Sequence, residues 1–336
     1  MPPQDQQQQD RGRQVRHDMP RQPLRPQRQH GQEHRMQGCL QRWSGQSLAD
    51  VRHELTSHLR TAGIGTAALD ARLLVQQATG LSHACLIAEE RTRRLTTDEA
   101  RILIRMAVRR LQGEPVSRII GQRAFFGRDF VISPDVLDPR PETELLVEAA
   151  LKLRPHVEAL HDESPLLCDA GAGSGCIIVS LLAEWPAAQG MALDISAAAL
   201  AITRHNAARH GVAERLHCVR ANWLAPVRGP VDLLVSNPPY LKAAEMQCLP
   251  PEVRHDPALA LAAGEDGFAA YRALARKAAD VLRPGGWLLL EVGAGQAEEV
   301  RRMFEQAGLR PDSLLPPILH DLAGIGRVVA LRRDGR

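Results

Sequence analysis

The sequence contains few aromatic residues and no long hydrophobic run. Phe, Trp and Tyr together make up 3% of the 336 residues, and no apolar stretch approaches the roughly 20 residues that a membrane-spanning helix requires. With 24% charged and 44% hydrophobic residues, the composition is typical of a globular protein rather than a disordered or membrane-embedded one. We therefore expect no membrane partner.

Cysteine is also sparse and carries no recognisable pattern. The six cysteines form neither a CxxC pair nor a spacing typical of metal ligands. Four of them lie in apolar runs, which favours buried free thiols. We therefore expect no bound metal and a reducing compartment, the cytoplasm.

The small net charge of +3 is concentrated in the first 45 residues. These contain eight Arg and four acids, or +4, so that the rest of the chain carries −1. Twelve of the 45 are Gln, and a segment so poor in apolar residues cannot offset the entropy of ordering. We expect residues 1–45 to be a disordered tail with no part in the chemistry. A nucleic-acid-binding arm and a targeting peptide are the alternatives.

The pattern of residues 46–112 predicts a small helical domain. Ser47 followed by Asp50 is typical of a helix N-terminus, and apolar residues then recur at helical spacing. Further helices are predicted over residues 67–78 and after Thr97. Nothing in this domain indicates catalytic chemistry.

Residues 113–140 predict a β-hairpin that links this domain to the rest of the chain. Ile119–Gly121 and Phe125–Ile132 are short apolar segments joined through glycine and polar residues. Such runs, bounded by turn-forming residues, are typical of two paired strands.

Over residues 141–336, short apolar segments alternate with helical ones. This pattern predicts an α/β fold with a mostly parallel, Rossmann-like sheet covered by helices on both faces. In such sheets the ligand binds at the carboxyl ends of the strands. The predicted strands are Leu166–Asp169, Met191–Asp194, Leu216–Val219, Val231–Ser236, Trp287–Val292 and Val328–Leu331.

A glycine-rich turn follows the first of these strands. The segment Asp169–Gly175 has the pattern acid, then G-x-G-x-G, and Cys176 stands where a dinucleotide fingerprint would need its last glycine. This pattern resembles the first motif of class I S-adenosylmethionine-dependent methyltransferases. The residues expected to contact that cofactor are Gly171, Ala172, Gly173, Ser174 and Gly175.

Polar or aromatic residues also end the next two strands. Asp194 can accept hydrogen bonds from two ribose hydroxyls. Its alternative role is to cap the following helix, for which Ser196 is better suited. Asn222 can accept a hydrogen bond from an adenine amino group. Trp223 can either cover the adenine face or fill the core.

The fourth strand ends in Asn237-Pro238-Pro239-Tyr240. Prolines lack the N–H that a strand ladder needs, but their carbonyl oxygens remain acceptors. The Asn237 side-chain oxygen beside a proline carbonyl forms two acceptors that fit an NH₂ group, and Tyr240 can cover a planar group. Acceptors so placed favour positive charge on nitrogen in a transition state. We expect Asn237, Pro238 and Tyr240 to be catalytic and all four residues to bind substrate.

Further segments closely resemble the peptide chain release factor glutamine methyltransferase family (HemK/PrmC type) over about residues 47–333. Besides the Asn-Pro-Pro-Tyr motif, the matching segments are Gly113–Val116, Phe125–Phe130, Ser133–Glu144, Glu252–Leu261 and Gly264–Gly267.

The resemblance implies methyl transfer from S-adenosylmethionine to the side-chain amide nitrogen, N5, of the glutamine in the Gly-Gly-Gln motif of class 1 release factors, in support of translation termination. It also implies that Asn237 contacts the cofactor, and that Arg140 and Glu142 lie close to the substrate. A structural role for these last two, as a polar hinge between domains, is the alternative. Asn222 departs from the Asp that is usual in the family, and Asp256 from the usual Glu.

Two related activities remain as alternatives. The sister enzyme methylates a glutamine of ribosomal protein L3, and adenine-N6 methyltransferases of nucleic acids share the Asn-Pro-Pro-Tyr motif. An adenine methyltransferase needs a basic, aromatic-bearing groove for phosphates and a flipped base. The charge of −1 and the scarcity of aromatic residues argue against that activity, so we expect no direct nucleic-acid partner.

Overall fold

The structure, a computed structural model, describes residues 39–335. Most of the predicted disordered tail, residues 1–38, therefore lies outside the described residues. The end of that tail is ordered, because Cys39–Trp43 form helix α1 and both terminal residues are buried. The boundary predicted at residue 45 is therefore wrong: two apolar side chains in a Gln/Arg-rich stretch give no periodic signal, yet they pack into the helical core.

Five further helices make up the N-terminal region. Ser47 begins the first of them, where its Oγ accepts a hydrogen bond from the Asp50 N–H at 3.1 Å. Thr96 and Glu99 form a reciprocal capping box at the start of another. The helices are α2 (Leu48–Thr61), α3 (Ala67–Thr79), α4 (His83–Glu89), α5 (Thr97–Leu111) and α6 (Val116–Ile120).

The hairpin forms one segment later than predicted. Ile119–Gly121 is not a strand, since its two isoleucines end α6 and Gly121 closes that helix with a φ of +73°. Both strands, β1 (Gln122–Phe125) and β2 (Arg128–Val131), pair antiparallel around a turn at Phe126 and Gly127. Burial of Val116 and Ile119 in the helical core outweighs the β preference of the isoleucine pair.

The rest of the chain forms an eight-stranded sheet. Its order is β5-β4-β3-β6-β7-β10-β8, with β9 pairing with β10. Strands β3 to β7 are parallel, and β10 runs antiparallel to its neighbours. The strands are β3 (Leu166–Ala170), β4 (Gln189–Asp194), β5 (Leu216–Arg220), β6 (Val231–Ser236), β7 (Leu282–Glu291), β8 (Leu309–Arg310), β9 (Ile318–His320) and β10 (Gly326–Arg333).

Helices cover both faces of this sheet, which confirms the predicted Rossmann-like fold. Side chains alternate between the faces along each strand: Leu233 and Val235 belong to one hydrophobic core, and Leu234 belongs to the other. One core is closed by α7 (Glu144–Glu158), α8 (Cys176–Glu184) and α9 (Ala197–Arg209), and the other by α10 (Ala269–Val281) and α11 (Ala297–Gln306).

Within residues 39–335, no helix is both long and apolar enough to cross a membrane.

The parallel strands all end at the same edge of the sheet, so the predicted polar motifs are brought to that edge.

Candidate active site

A cavity of about 480 Å³ opens at the carboxyl edge of the sheet. This volume is within the range of sites for small molecules. The predicted site residues on its wall are Gly171, Ala172, Gly173, Ser174, Asp194, Asn222, Trp223, Asn237, Pro239 and Arg140. The remaining predicted residues, which do not line it, are Gly175, Pro238, Tyr240 and Glu142.

The glycine-rich loop after β3 depends on glycine for two different reasons. Gly171 and Gly173 have φ values of +84° and +56°, which L side chains rarely adopt. Gly175 has a φ of +78°, and a Cβ there would lie 2.8 Å from the side chain of Thr203. Gly175 therefore packs the loop against α9 rather than facing the cavity.

Asp194 at the end of β4 is held by two main-chain groups. Its Oδ2 accepts a hydrogen bond from the Gly173 N–H at 2.9 Å, and its Oδ1 accepts one from the Ser196 N–H at 2.8 Å. Ser196 caps α9, as predicted, by accepting from the Ala199 N–H at 3.2 Å. Each carboxylate oxygen of Asp194 retains a lone pair for a further donor.

Trp223, in the loop after β5, adopts an unusual backbone conformation. Its φ of +51° is in the left-handed region, which costs a bulky residue about 1–3 kcal/mol and tends to occur at functional sites. This conformation places the indole beside the glycine-rich loop, with a ring carbon 3.4 Å from the position of a Cβ on Gly171. Asn222 is exposed and also lines the cavity, so an amide and an aromatic face adjoin each other on the wall.

Asn237 follows β6 and is bound to a residue from a distant segment. Its Nδ2 donates a hydrogen bond to Oγ1 of Thr143 at 3.1 Å. Thr143 is 2% exposed and ends the 3₁₀ turn Pro141–Thr143 that precedes α7. Ser236 ties the end of β6 to β3 by donating to the Ala170 carbonyl at 2.5 Å. The amide nitrogen of Asn237 is therefore occupied by Thr143, and its oxygen is available to a ligand.

The last two residues of the Asn-Pro-Pro-Tyr motif are half-buried. The Tyr240 carbonyl accepts a hydrogen bond from Nε2 of Gln296 at 3.2 Å. Its ring lies close to Gly293, where a Cβ would come within 2.9 Å of it. Burial is the main cause that raises the pKa of Tyr240, so its hydroxyl stays protonated at neutral pH.

Arg140 combines a place on the wall with a structural partner. Its Nη2 donates to Oδ2 of Asp256 at 2.5 Å, and Nη2 of Arg118 donates to Oδ1 of the same carboxylate at 2.5 Å. The Asp256 side chain is 1% exposed, so this carboxylate ties the loop before α7 to α6 and to the segment after β6. Glu142, by contrast, is exposed.

Two buried acids belong to this region and were missed as functional candidates. Burial, and next the charge of Asp194, raise the pKa of Asp169 to about 7, although the main-chain N–H of Ile178 acts in the opposite direction. Burial also raises the pKa of Glu291, the last residue of β7, to about 7. The available signal for Glu291 was a lone acid at the end of the apolar run from Trp287.

Within residues 39–335, one group of side chains has the spacing of metal ligands. Cys39, Glu54 and His58 bring possible ligand atoms within 4.8 Å of one another. Glu54 already accepts from the Trp43 indole at 2.9 Å and pairs with Arg42 at 2.7 Å. The group is part of a polar network at the start of the helical region, away from the cavity.

Models of two protein families match the chain. The PrmC N-terminal domain matches residues 50–121, and the methyltransferase small domain matches residues 133–249. Among solved structures, the fold is similar to that of a methyltransferase from Pyrococcus furiosus, with a TM-score of 0.45 and 15% identity over 63% of this chain and 91% of that one.

Two bacterial proteins are similar over nearly their whole length. The release factor glutamine methyltransferase of Bradyrhizobium diazoefficiens is 45% identical over 292 residues, which cover 87% of this chain and 96% of that protein. The release factor glutamine methyltransferase of Cereibacter sphaeroides is 47% identical over 285 residues, which cover 84% of this chain and 98% of that protein.

Proposed function

The chain belongs to the release factor glutamine methyltransferase family, and from this we propose that it methylates the N5 nitrogen of the glutamine in the Gly-Gly-Gln motif of class 1 peptide chain release factors. S-adenosylmethionine is the proposed methyl donor and the cytoplasm the proposed location. The observation that carries the proposal is the Asn237 side chain, whose amide nitrogen is bound to Thr143 while its oxygen is available beside two prolines.

The side chains on the wall of the cavity offer the groups that S-adenosylmethionine would need. Asp194 can accept hydrogen bonds from the ribose hydroxyls, and the indole of Trp223 offers a flat surface to the adenine, whose amino group can donate to Asn222. The open main chain at Gly171 and Gly173 allows close approach of a ligand. When bound, this cofactor supplies an electrophilic methyl group on a sulfonium sulfur. We propose no metal, since neither binding nor orienting the glutamine amide calls for one.

The two hydrogen-bond acceptors at the end of β6 can compensate for the low nucleophilicity of an amide nitrogen. Its nitrogen lone pair is delocalised into the carbonyl group. Oδ1 of Asn237 and the Pro238 carbonyl can each accept one hydrogen of the glutamine NH₂ group, which fixes the direction of the nitrogen. The same two oxygens would stabilise the positive charge that develops on nitrogen as the N–C bond forms and the bond from the methyl carbon to the sulfonium sulfur breaks, leaving its electron pair on sulfur. Much of the rate gain is then positioning, and the alkylated nitrogen loses its extra proton to solvent.

Other residues of the motif segments would place the release factor loop. Pro239 and the ring of Tyr240 form a surface beside the glutamine side chain. Arg140 on the wall and exposed Glu142 would contact the main chain around it. In this assignment, residues 141–335 form the methyltransferase domain, residues 39–121 form the helical domain, and residues 122–140 form the hairpin linker between them.

The activity can be tested with radiolabelled S-adenosylmethionine and four parallel substrates. These are a class 1 release factor, its variant with the loop glutamine replaced by alanine, ribosomal protein L3 and duplex DNA. Label on the unaltered release factor alone supports the proposal. Label on L3 or on DNA would contradict it.

The role of the acceptor pair needs a separate variant. Asn237→Ala should abolish turnover while the affinity for S-adenosylmethionine falls much less, as calorimetry can measure. Gln306→Ala removes an amide at the far end of α11 and should leave both quantities unchanged. Wild-type turnover in Asn237→Ala would rule out the acceptor pair.

A further inference from the structure

We propose that Glu291 is a positioning residue that fixes the orientation of the Asn237 amide, so that the amide presents its oxygen and not its NH₂ group to the substrate. This inference rests on the proposed function and assigns a role to a residue outside the Asn-Pro-Pro-Tyr motif.

The sheet register places the two residues side by side. Ser236 and Leu290 are partners in the parallel pair of β6 and β7. Asn237, directly after β6, and Glu291, the last residue of β7, are the next residues along the two chains. Glu291 is 3% exposed. Its carboxylate interacts with the side chains of Thr143 and Asn237, and both interactions favour the charged form. Thr143, Asn237 and Glu291 thus form one triad, in which Thr143 and Glu291 are buried and Asn237 borders the cavity.

Thr143 alone cannot set the direction of the amide. A hydroxyl both donates and accepts hydrogen bonds, so either end of the Asn237 amide could face it. An ionised carboxylate only accepts, so the NH₂ group alone can face Glu291. The two hydrogens on Nδ2 match the two acceptors of the triad, one being Thr143 Oγ1 at 3.1 Å. The oxygen of Asn237 is then turned to the opposite side, where the substrate amide is proposed to bind.

Glu291 is buried, but it is not buried as one half of an ion pair. The charge of Arg327 lowers the pKa of Glu291, but Nε of Arg327 pairs with Asp321 at 2.9 Å. Oε2 of Glu291 has no hydrogen-bond partner. A buried acid left without a basic partner destabilises the fold and is typical of a functional residue.

Protonation of Glu291 should release the amide. A carboxylic acid has an O–H that can donate to Oδ1 of Asn237, so it no longer selects one orientation. Burial raises the pKa of Glu291 to about 7, which places this change in the range of a pH profile.

Other groups near Glu291 can be separated from it in that profile. Burial raises the pKa values of Cys176, Tyr240 and Tyr271, so they do not ionise between pH 6 and 8. The pKa of Asp169 is also about 7. A transition that is present in the wild type and absent from a Glu291 variant can therefore be assigned to Glu291. The groups that face Glu291 are Glu142 before α7, Cys176 on α8, Tyr240 after β6, Tyr271 on α10 and Arg327 on β10.

The first test follows the Asn237 side chain itself. In the ¹⁵N-labelled full chain, the Nδ2 resonances of Asn237 are identified by their loss in Asn237→Ala. We expect them to shift with a midpoint near pH 7 in the wild type and to lose that transition in Glu291→Gln. An identical transition in Glu291→Gln would overturn the proposal. This readout needs no substrate, so it still decides about Glu291 if the wild type fails to methylate a release factor and the proposed function falls.

The second test separates positioning from packing. Glu291→Gln preserves the shape of the side chain but can donate as well as accept, so kcat should fall by about tenfold or more with little change in the KM for S-adenosylmethionine. Glu291→Asp keeps an acceptor-only group and should retain more activity than Glu291→Gln. Glu184→Gln, at the far end of α8, serves as the control and should match the wild type. Glu291→Gln being more active than Glu291→Asp would indicate a packing role and overturn the proposal.

Discussion

The amide nitrogen of Asn237 donates a hydrogen bond to Thr143, 94 residues earlier in the chain, at 3.1 Å. The bond joins the end of β6 to the turn before α7, and so connects the Asn-Pro-Pro-Tyr motif with the Pro-Arg-Pro-Glu-Thr-Glu run. Thr143 is the buried polar residue of that run, whereas its neighbour Glu142 is exposed. The main contribution of this run to the proposed chemistry is therefore made by Thr143, which binds the Asn237 amide that contacts the substrate.

Thr143→Val should slow catalysis without weakening cofactor binding. Valine has nearly the same shape but cannot accept the hydrogen bond from Asn237, and a lost hydrogen bond of this kind is worth about 1 kcal/mol. We expect kcat to fall by about fivefold, while the affinity for S-adenosylmethionine measured by calorimetry is unchanged. Thr143→Ser keeps the hydroxyl and should stay within about twofold of the wild type. Equal kcat values for the two variants would show that the bond is dispensable.

Cofactor binding should be visible in the fluorescence of one tryptophan. The chain has four, and Trp43, Trp185 and Trp287 are at most 1% exposed, whereas Trp223 lines the cavity. Titration with S-adenosylmethionine should therefore change the emission of Trp223 alone. Trp223→Phe should remove the change and raise the Kd several-fold. Trp43→Phe, in the helical core, should keep it. A change that persists in Trp223→Phe would place the adenine elsewhere.

The sequence allowed the main strands and the two main motifs to be predicted because both depend on local constraints. Short apolar runs separated by helical stretches predict a parallel sheet covered by helices. Glycines mark the tight turn after a strand, and prolines mark the point where a strand ends. The structure has strands at all six predicted positions, although β7 begins at Leu282 rather than Trp287.

What could not be predicted depends on contacts between distant segments. The isoleucine pair at 119–120 has β propensity but is helical, because the helical core buries one of its members. Nothing near Thr143 in the sequence indicates that it meets Asn237. Glu291 appears as a lone acid in an apolar run, but only the register of β6 and β7 shows which side chain it faces.

Removal of Asp256 should destabilise the fold strongly. Its buried carboxylate lies between Arg118 and Arg140 at 2.5 Å from each, and the Arg118 side chain is 4% exposed. Asp256→Ala leaves that guanidinium buried without a counter-charge, which typically costs about 3–5 kcal/mol. The free energy of unfolding, measured with urea, should fall by this amount. Asp266→Ala breaks an exposed pair with Arg272 and should change it little. Equal losses in the two variants would contradict the burial argument.

Asp169 and Glu291 should make the protein less stable as the pH rises. Burial raises the pKa of each to about 7 in the folded chain, against about 4 in the unfolded chain. Between these values the folded state holds protons that the unfolded state has lost, so the free energy of unfolding falls as pH rises from about 4 to 7 and then levels. The double variant Asp169→Asn/Glu291→Gln should match the wild type near pH 4 and exceed it by a few kcal/mol at pH 8.

Asp312 provides a control of opposite sign for this prediction. Burial opposes its ionisation, but hydrogen bonds from the Leu314 N–H and from Arg332, at 2.8 Å, leave its pKa below the usual value. Its charge therefore stabilises the fold above the pKa of the unfolded chain, and that contribution is lost as the pH falls through the lower folded value. Asp312→Asn should be less stable than the wild type at pH 7 and equal to it at low pH. Urea unfolding at four or five pH values measures the free energy of unfolding of Asp312→Asn and of the double variant relative to the wild type. If Asp169→Asn/Glu291→Gln gains no stability over the wild type between pH 4 and 8, the two buried acids ionise as they do in water.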